Sequence, residues 1–204
     1  MFTEHKPNLL LYHTLTTDST HHRYGPGTDP SYTALAYADR LLGDLISAVE
    51  ASGRLPQTTF IVTTDHGFKK VSKFSYPNVV LKQAGLVKTA GQTVTECDAY
   101  TMTQGGIAFV YVLDPARKAQ LLPRLKELFA AAEGVDRVID AEGAHSLGLP
   151  TPAENQGMGE LILYPKNGYS FNASAAGNDT AGPSVNYGGT HGYFNGDREL
   201  DAVV

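Results

Sequence analysis

Two short apolar runs separated by one long helical pattern constrain the fold of this chain more than any other feature. Residues 8–15 (NLLLYHTL) and 58–63 (TTFIVT) are rich in strand-forming residues and are bounded by polar or turn-forming ones. Between them, Thr28, Asp29 and Pro30 predict the start of a helix whose apolar positions recur at helical spacing. Those positions are Leu35, Ala38, Leu42, Leu45, Ile46 and Val49. The strand, helix, strand order predicts an α/β fold with a mainly parallel sheet flanked by helices.

The middle of the chain follows a different pattern. A strong helix is predicted at residues 115–133, between strands at 107–113 and 135–139. We therefore assign about 90–165 to a small α+β insertion packed beside the main sheet. Residues 170–189 are rich in Gly, Ser, Asn and Ala without periodicity, which predicts a long surface loop.

Size, composition and charge narrow the class of protein. With 204 residues, 42% of them hydrophobic, the chain is long enough for one packed domain. The net charge of −5 argues against a surface that binds nucleic-acid duplexes. No apolar run approaches the roughly 20 residues needed to span a membrane, and the single cysteine, Cys97, excludes an internal disulfide. Lys69, Lys70 and Lys73 form a solvated basic face, the simpler interpretation, or a patch that attracts an anionic substrate. The sequence leaves the cellular location open.

Three short motifs gather acidic and imidazole side chains in predicted loops near the predicted strands. They are Asp18-Ser-Thr-His21-His22-Arg-Tyr-Gly-Pro, Thr64-Asp65-His66-Gly67 and Gly189-Thr190-His191-Gly192-Tyr193. Asp18 and His22 are four residues apart, so a single turn of the backbone would point both side chains the same way. Carboxylate oxygen and neutral imidazole nitrogen are ligands that zinc and similar divalent ions accept. We therefore predict a metal site formed by Asp18, His22, Asp65, His66 and His191.

The order D-x-x-x-H-x-Y-G-P, T-D-H-G and G-x-H-G-Y resembles the alkaline phosphatase superfamily, and most closely its nucleotide pyrophosphatase/phosphodiesterase (type I phosphodiesterase) branch. The resemblance covers most of the chain and implies an alkaline-phosphatase-like fold with two divalent metal ions, most simply zinc. By resemblance, Asp18, His22 and His191 would hold one ion. Asp65 and His66 would help to hold the other. His21 stands where this branch usually has glycine, which leaves its role open.

The resemblance also implies residues that would precede the first motif. The family's second ion uses a further aspartate, and a threonine acts as the nucleophile, both upstream of the strand predicted at residues 8–15. We therefore expect the chain to be the C-terminal portion of such an enzyme, without the nucleophile. Such a portion would leave a sheet edge exposed, and we predict self-association through that edge.

These expectations lead to alternative functions. The first is metal-dependent hydrolysis of small-molecule phosphodiesters or nucleotide pyrophosphates by a two-metal mechanism. Phosphonate hydrolysis of the phosphonoacetate type, in the same superfamily, is the nearest enzymatic alternative. A truncated domain that binds metal without turnover is the alternative from another class. The simplest alternative is a plain α/β domain whose Asp and His residues are caps and surface groups.

Overall fold

The structure is a computed structural model that describes residues 2–203. Its α-helices are α1 (Phe2–His5), α2 (Thr16–Tyr24), α3 (Asp29–Ala51), α4 (Pro77–Gln83), α5 (Lys118–Ala130) and α6 (Ala141–Ser146). Its strands are β1 (Lys69–Ser75), β2 (Val87–Ala90), β3 (Thr93–Cys97), β4 (Ala99–Thr103), β5 (Ala108–Val112), β6 (Val135–Asp140), β7 (Leu161–Pro165), β8 (Gly168–Phe171), β9 (Ala181–Pro183) and β10 (Gly189–Thr190). The predicted α/β class is confirmed.

Three sheets organise these strands. In the first sheet, β1 pairs in parallel with β8 and antiparallel with β9 and β10. β2 and β3 form a hairpin, and the third sheet has the order β4-β5-β7-β6 with antiparallel ladders throughout. Among the ladders of residues 2–203, the parallel pairing predicted for most of the sheet is therefore found between β1 and β8. Antiparallel pairs dominate, and short turns join two of them, β2–β3 and β4–β5.

The third sheet contains a split βαβ unit and carries the main core. β5 and β6 both run antiparallel to β7, which lies between them, so they are parallel to each other. The connection between them includes α5, whose Leu121, Leu125 and Phe129 are at most 2% exposed and belong to the core. The predicted helix and strands of this block are confirmed. Its assignment as an insertion at about 90–165 stays a prediction.

The strands predicted at residues 8–15 and 58–63 are wrong. Neither segment pairs with a strand in the described part of the chain. Their apolar side chains are largely exposed, with Leu11 at 86% and Ile61 at 77%. Both segments line a cavity of about 1040 Å³. A strand needs a neighbouring strand to pair with as well as a suitable local pattern, and within residues 2–203 neither segment has such a neighbour.

α3 is the helix predicted from Thr28, Asp29 and Pro30, and it runs for 23 residues. Part of its apolar stripe lines the same cavity, so Leu42 and Leu45 are only half-buried. No helix within residues 2–203 combines the length and the apolar character required to cross a bilayer.

Two further expectations, for the loop at residues 170–189 and for the lysines near residue 70, are partly wrong. The surface loop predicted at residues 170–189 contains β9 and overlaps the ends of β8 and β10, because all three strands pair with β1. The lysines expected on a solvated face lie on β1, where strand alternation turns Lys69 inward and leaves it 8% exposed. Its ammonium group donates hydrogen bonds to Asn167 and Asp197. Lys70 and Lys73 are exposed, as expected.

Candidate metal centre

Asp18 and His22 lie on α2 and not in the loop predicted from the sequence. Their four-residue spacing places both side chains on one face of the helix, with His22 Nε2 3.6 Å from Asp18 Oδ1. α2 has no buried residue, and its Thr, Ser and His residues are weak helix formers. Its conformation therefore depends on the segments that pack beside it.

A close backbone approach between Gly25 and Gly188 holds α2 beside the His191 segment. A Cβ atom on Gly25, whose φ is +82°, would lie 2.5 Å from Gly188 O, and one on Gly188 would lie 2.6 Å from the backbone at the end of α2. Both positions therefore require glycine. Gly188 N donates to His22 O at 2.8 Å, and Gly188 O accepts from Val71 N at 2.9 Å. Gly188 thus joins α2 to β1, and His191 follows three residues later.

Asp18, His22 and His191 come together next to this contact. One ligand atom from each side chain, a carboxylate oxygen or an imidazole nitrogen, lies within 4.8 Å of the other two. The centroids of the His22 and His191 rings are 5.1 Å apart. All three residues are half-buried, so the group keeps contact with solvent.

Contacts with backbone carbonyls select the tautomer of two histidine rings. His22 Nδ1 lies 3.0 Å from Gly189 O, and His66 Nδ1 lies 3.0 Å from Gly67 O. A carbonyl oxygen only accepts hydrogen bonds, so each Nδ1 carries a hydrogen, and in the neutral ring Nε2 keeps its lone pair. Both Nε2 atoms approach Asp18 Oδ1, at 3.6 and 3.9 Å, which is too long for a hydrogen bond. A carboxylate oxygen and two imidazole nitrogens that lie this close without a hydrogen bond between them form a donor set that fits a divalent ion.

His66 lies beside this group, and Asp65 lies at its edge. The His66 ring stacks on His191 with 3.6 Å between centroids and 12° between planes. Asp65 Oδ2 is 3.6 Å from His66 Nε2, but the Asp65 side chain is 80% exposed. The structure thus brings Asp18, His22, His66 and His191 into one group. Asp65 contacts this group through His66.

The C-terminal segment holds the loop that carries His66. Thr64 N donates to Val203 O, and Gly67 N donates to Leu200 O, both at 3.0 Å. β1 begins shortly after this loop and pairs with β10, which consists of the first two residues of the third motif and directly precedes His191. The loop and the third motif are therefore neighbours although they are far apart along the chain.

The surroundings of His191 favour its neutral form. Burial lowers the pKa of His191 below its usual value, and the nearby His66 and His22 rings lower it further. The carboxylates of Asp18 and Asp65 oppose this shift without cancelling it. Neutral imidazole is the form that binds a metal ion, so the site keeps His191 in the form that a ligand requires.

Sequence reasoning missed two aromatic residues that contact these histidines. Phe68 directly follows the second motif, and Tyr187 stacks on His22 with 5.4 Å between centroids and 27° between planes. Adjacency to a motif is the only sequence signal that could have indicated Phe68. His21 is half-buried, and its Nδ1 lies 2.6 Å from Thr17 O in the preceding turn of α2. It stays outside the group formed by Asp18, His22 and His191.

Comparisons with known proteins give a family match whose range includes all three motifs, and solved structures of similar fold. The family model described as Type I phosphodiesterase / nucleotide pyrophosphatase matches residues 2–194. A murine ectonucleotide pyrophosphatase/phosphodiesterase 5 is similar with a TM-score of 0.64 and 16% identity, over 91% of this chain and 43% of that chain. An inactive variant of the same murine protein in complex with AMP gives the same values. The human ectonucleotide pyrophosphatase/phosphodiesterase 5 gives a TM-score of 0.68 and 19% identity, over 98% of this chain and 47% of that chain.

The similarity to the solved structures supports a shared fold over part of their length. The chain spans less than half of the length of the solved structures that it matches, since it covers 43% and 47% of them. At 16% and 19% identity, the likeness supports a shared fold, which agrees with the predicted alkaline-phosphatase-like architecture. No curated protein matches the sequence at a significant level.

Proposed function

Since this chain belongs to the type I phosphodiesterase/nucleotide pyrophosphatase family, we propose that it forms the metal centre of a hydrolase that cleaves phosphodiesters or nucleotide pyrophosphates. The observation that supports this proposal is the approach of ligand atoms from Asp18, His22 and His191 to within 4.8 Å of one another. One carboxylate and two imidazoles supply three of the four ligands of a tetrahedral zinc ion. Catalytic zinc sites leave the fourth position free in this way.

Asp65 and His66 contribute to a second ion in this proposal. His66 Nε2 lies 3.6 Å from Asp65 Oδ2 and 3.9 Å from Asp18 Oδ1. Asp18 Oδ1 therefore lies near both the His22 and the His66 nitrogens, and its carboxylate can serve both halves of the centre. Paired ions recur in phosphate chemistry because together they bind the attacking and the leaving oxygens. The exposure of Asp65 leaves space for further ligands on that side.

The substrate would be a small phosphodiester or a nucleotide. The murine relative has been solved in complex with AMP, which is consistent with this class. A bound divalent ion would polarise a phosphoryl oxygen and offset its negative charge. The chain carries a net charge of −5, so its overall field does not attract an anionic substrate, and attraction must come from the local centre. Two of the proposed metal ligands, His22 and His66, are oriented by the contacts of their Nδ1 atoms with Gly189 O and Gly67 O.

Metal binding without turnover is the second candidate function. The family resemblance assigns the nucleophile to a threonine, which is not among the five proposed ligands. The chain also spans only 43% and 47% of the solved structures that it matches. Under this alternative, the same side chains bind the ion, and no hydrolysis follows.

Zinc titration of the purified chain by calorimetry, followed by an assay with bis(p-nitrophenyl) phosphate, separates these functions. We expect His22→Ala to weaken zinc binding by at least about 100-fold, since it removes a ligand, while changes to outer partners alone cost 10–100-fold. His145→Ala is the matched control. His145 is 70% exposed and lies 3.9 Å from Glu154, away from the proposed ligands. This variant should bind zinc like the wild type.

Three outcomes distinguish the possibilities. Hydrolysis that requires zinc and is lost in His22→Ala supports the hydrolase. Stoichiometric zinc binding that His22→Ala weakens, without hydrolysis of the diester, assigns the chain to metal binding alone. Absence of zinc binding in the wild type overturns both and leaves a plain α/β domain. Phosphate release from phosphonoacetate, in place of diester hydrolysis, would redirect the proposal to the phosphonate alternative.

A further inference from the structure

Phe68 lies among four histidine rings that come from all three motifs. Its ring centroid is 5.2 Å from that of His21, 5.0 Å from His22, 5.3 Å from His66 and 5.4 Å from His191. Three of these contacts are edge-to-face, with interplanar angles of 79° to His22, 61° to His66 and 72° to His191. One side chain thus contacts every imidazole of the proposed centre.

The backbone on both sides of Phe68 is fixed. Gly67 N donates to Leu200 O at 3.0 Å, and Lys69 is paired with Thr190 in the β1–β10 ladder. The Lys69 side chain is buried, with its Nζ 2.6 Å from Asn167 Oδ1. The Phe68 ring is therefore attached to a segment that is anchored immediately before it and immediately after it.

Each histidine in this group needs two constraints to aim its Nε2 atom. The Nδ1 contacts of His22 and His66 with Gly189 O and Gly67 O fix one end of each ring. A hydrogen bond at one atom still allows the ring to swing about it, and an aromatic ring packed against the imidazole limits this movement. Phe68 supplies that second contact for both rings and for His191.

We propose that Phe68 is the positioning residue of the metal centre: it packs against the three ligand imidazoles and keeps their nitrogens directed at a common point. The inference rests on the proposed function of this site. Phe68 acts through the histidines and has no role in binding the ion or the substrate itself. A flat ring is required, because a branched aliphatic side chain of similar size cannot pack against several imidazoles in this orientation.

Two substitutions of Phe68 and one control test this role. Phe68→Leu removes the ring and is expected to weaken zinc binding by about 10–100-fold, the range for changes that orient ligands without supplying one. Phe68→Tyr keeps the ring and should restore affinity close to that of the wild type. Phe129→Leu is the control, because Phe129 lies on α5 and is 0% exposed in the core. It should lower the stability of the chain and leave the zinc affinity unchanged.

A measurement on the metal-free chain separates this inference from the proposed function. Nitrogen NMR of the imidazoles reports the tautomer, and the wild type should show hydrogen on Nδ1 of His22 and His66. Phe68→Leu should mix the two tautomers, while Phe68→Tyr and Phe129→Leu should keep one. If the wild type binds no zinc, the proposed function fails, and the tautomers alone decide the role of Phe68. Wild-type tautomers in Phe68→Leu, or wild-type zinc affinity in that variant, would overturn the inference.

Discussion

The β4–β7 sheet and the two apolar segments at residues 8–15 and 58–63 have similar local sequences and opposite environments. Val110 and Leu163 in the sheet are 0% exposed. Leu11 and Ile61 in the segments are 86% and 77% exposed. Both regions combine β-branched or leucine side chains with an aromatic residue, so composition does not account for the difference.

The difference lies in the neighbours that each region has. Each strand of the β4–β7 sheet pairs with at least one other strand, and α5 packs on the sheet. The backbone polar groups are therefore hydrogen-bonded within the sheet, and the side chains that face α5 are shielded from water. The two segments line the cavity of about 1040 Å³ with the apolar side of α3 and pair with no strand within residues 2–203. A local sequence pattern therefore indicates which secondary structure a segment can adopt. The neighbouring strands and helices determine whether the segment adopts it.

The largest effect on the free energy of unfolding should come from truncating a core side chain of α5, the helix that packs on the β4–β7 sheet. Phe129→Ala removes a side chain that is 0% exposed, and we expect the free energy of unfolding to fall by about 3–5 kcal/mol. Leu11→Ala in the open segment should change it by less than about 0.5 kcal/mol. Urea unfolding of both variants measures the two values. A large loss in Leu11→Ala would mean that residues 8–15 are buried, which would break the comparison.

A smaller effect should come from a buried polar group in the packed region. Asn78 is 0% exposed, donates to Thr101 O and Ala173 O at 2.9 Å, and accepts from Thr101 N at 2.8 Å. Asn78→Ala leaves these backbone groups without their side-chain partner, so the free energy of unfolding should fall by about 2–3 kcal/mol.

Asn155→Ala is the control for this loss. Asn155 is exposed, and its side chain accepts one hydrogen bond, from Gly157 N at 2.9 Å. Water can replace that partner, so the change should be within about 0.5 kcal/mol. Equal losses in the two variants would contradict the view that burial, and not the hydrogen bond alone, sets the cost.

The elements that could be predicted from the sequence are those whose partners lie close along the chain. α5 packs against β5 and β6, the strands that directly precede and follow it along the chain, so periodicity was sufficient for this block. The spacing of Asp18 and His22 predicted their common direction even though the loop predicted around them is a helix. Side chains at i and i+4 share a face in any helical turn, so this conclusion did not depend on the length of the helix.

The features that could not be predicted depend on contacts between distant segments. The strands expected at residues 8–15 and 58–63 needed ladders that the pattern does not encode. The contacts of Phe68 follow from the pairing of β1 with β10, a strand of two residues that is too short to carry any periodicity. The inward direction of Lys69 follows from the same pairing, so a run of lysines read as a solvated face instead contains a buried residue.

The smallest effect on stability, and the most direct test of the open region, concerns self-association. Self-association through an exposed sheet edge stays a prediction, and we predict in addition that the exposed apolar side chains of residues 8–15 and 58–63 promote association. Leu11→Ser combined with Ile61→Ser should shift the sedimentation profile towards the monomer, because both side chains are exposed and become polar. The free energy of unfolding should change by no more than about 0.5 kcal/mol for each substitution.

Leu113→Ser is the control for this shift. Leu113 is 54% exposed and lies outside these segments, so its substitution should leave the sedimentation profile unchanged. A wild type that sediments as a single monomer at every concentration would mean that exposed apolar surface in this region does not by itself drive association.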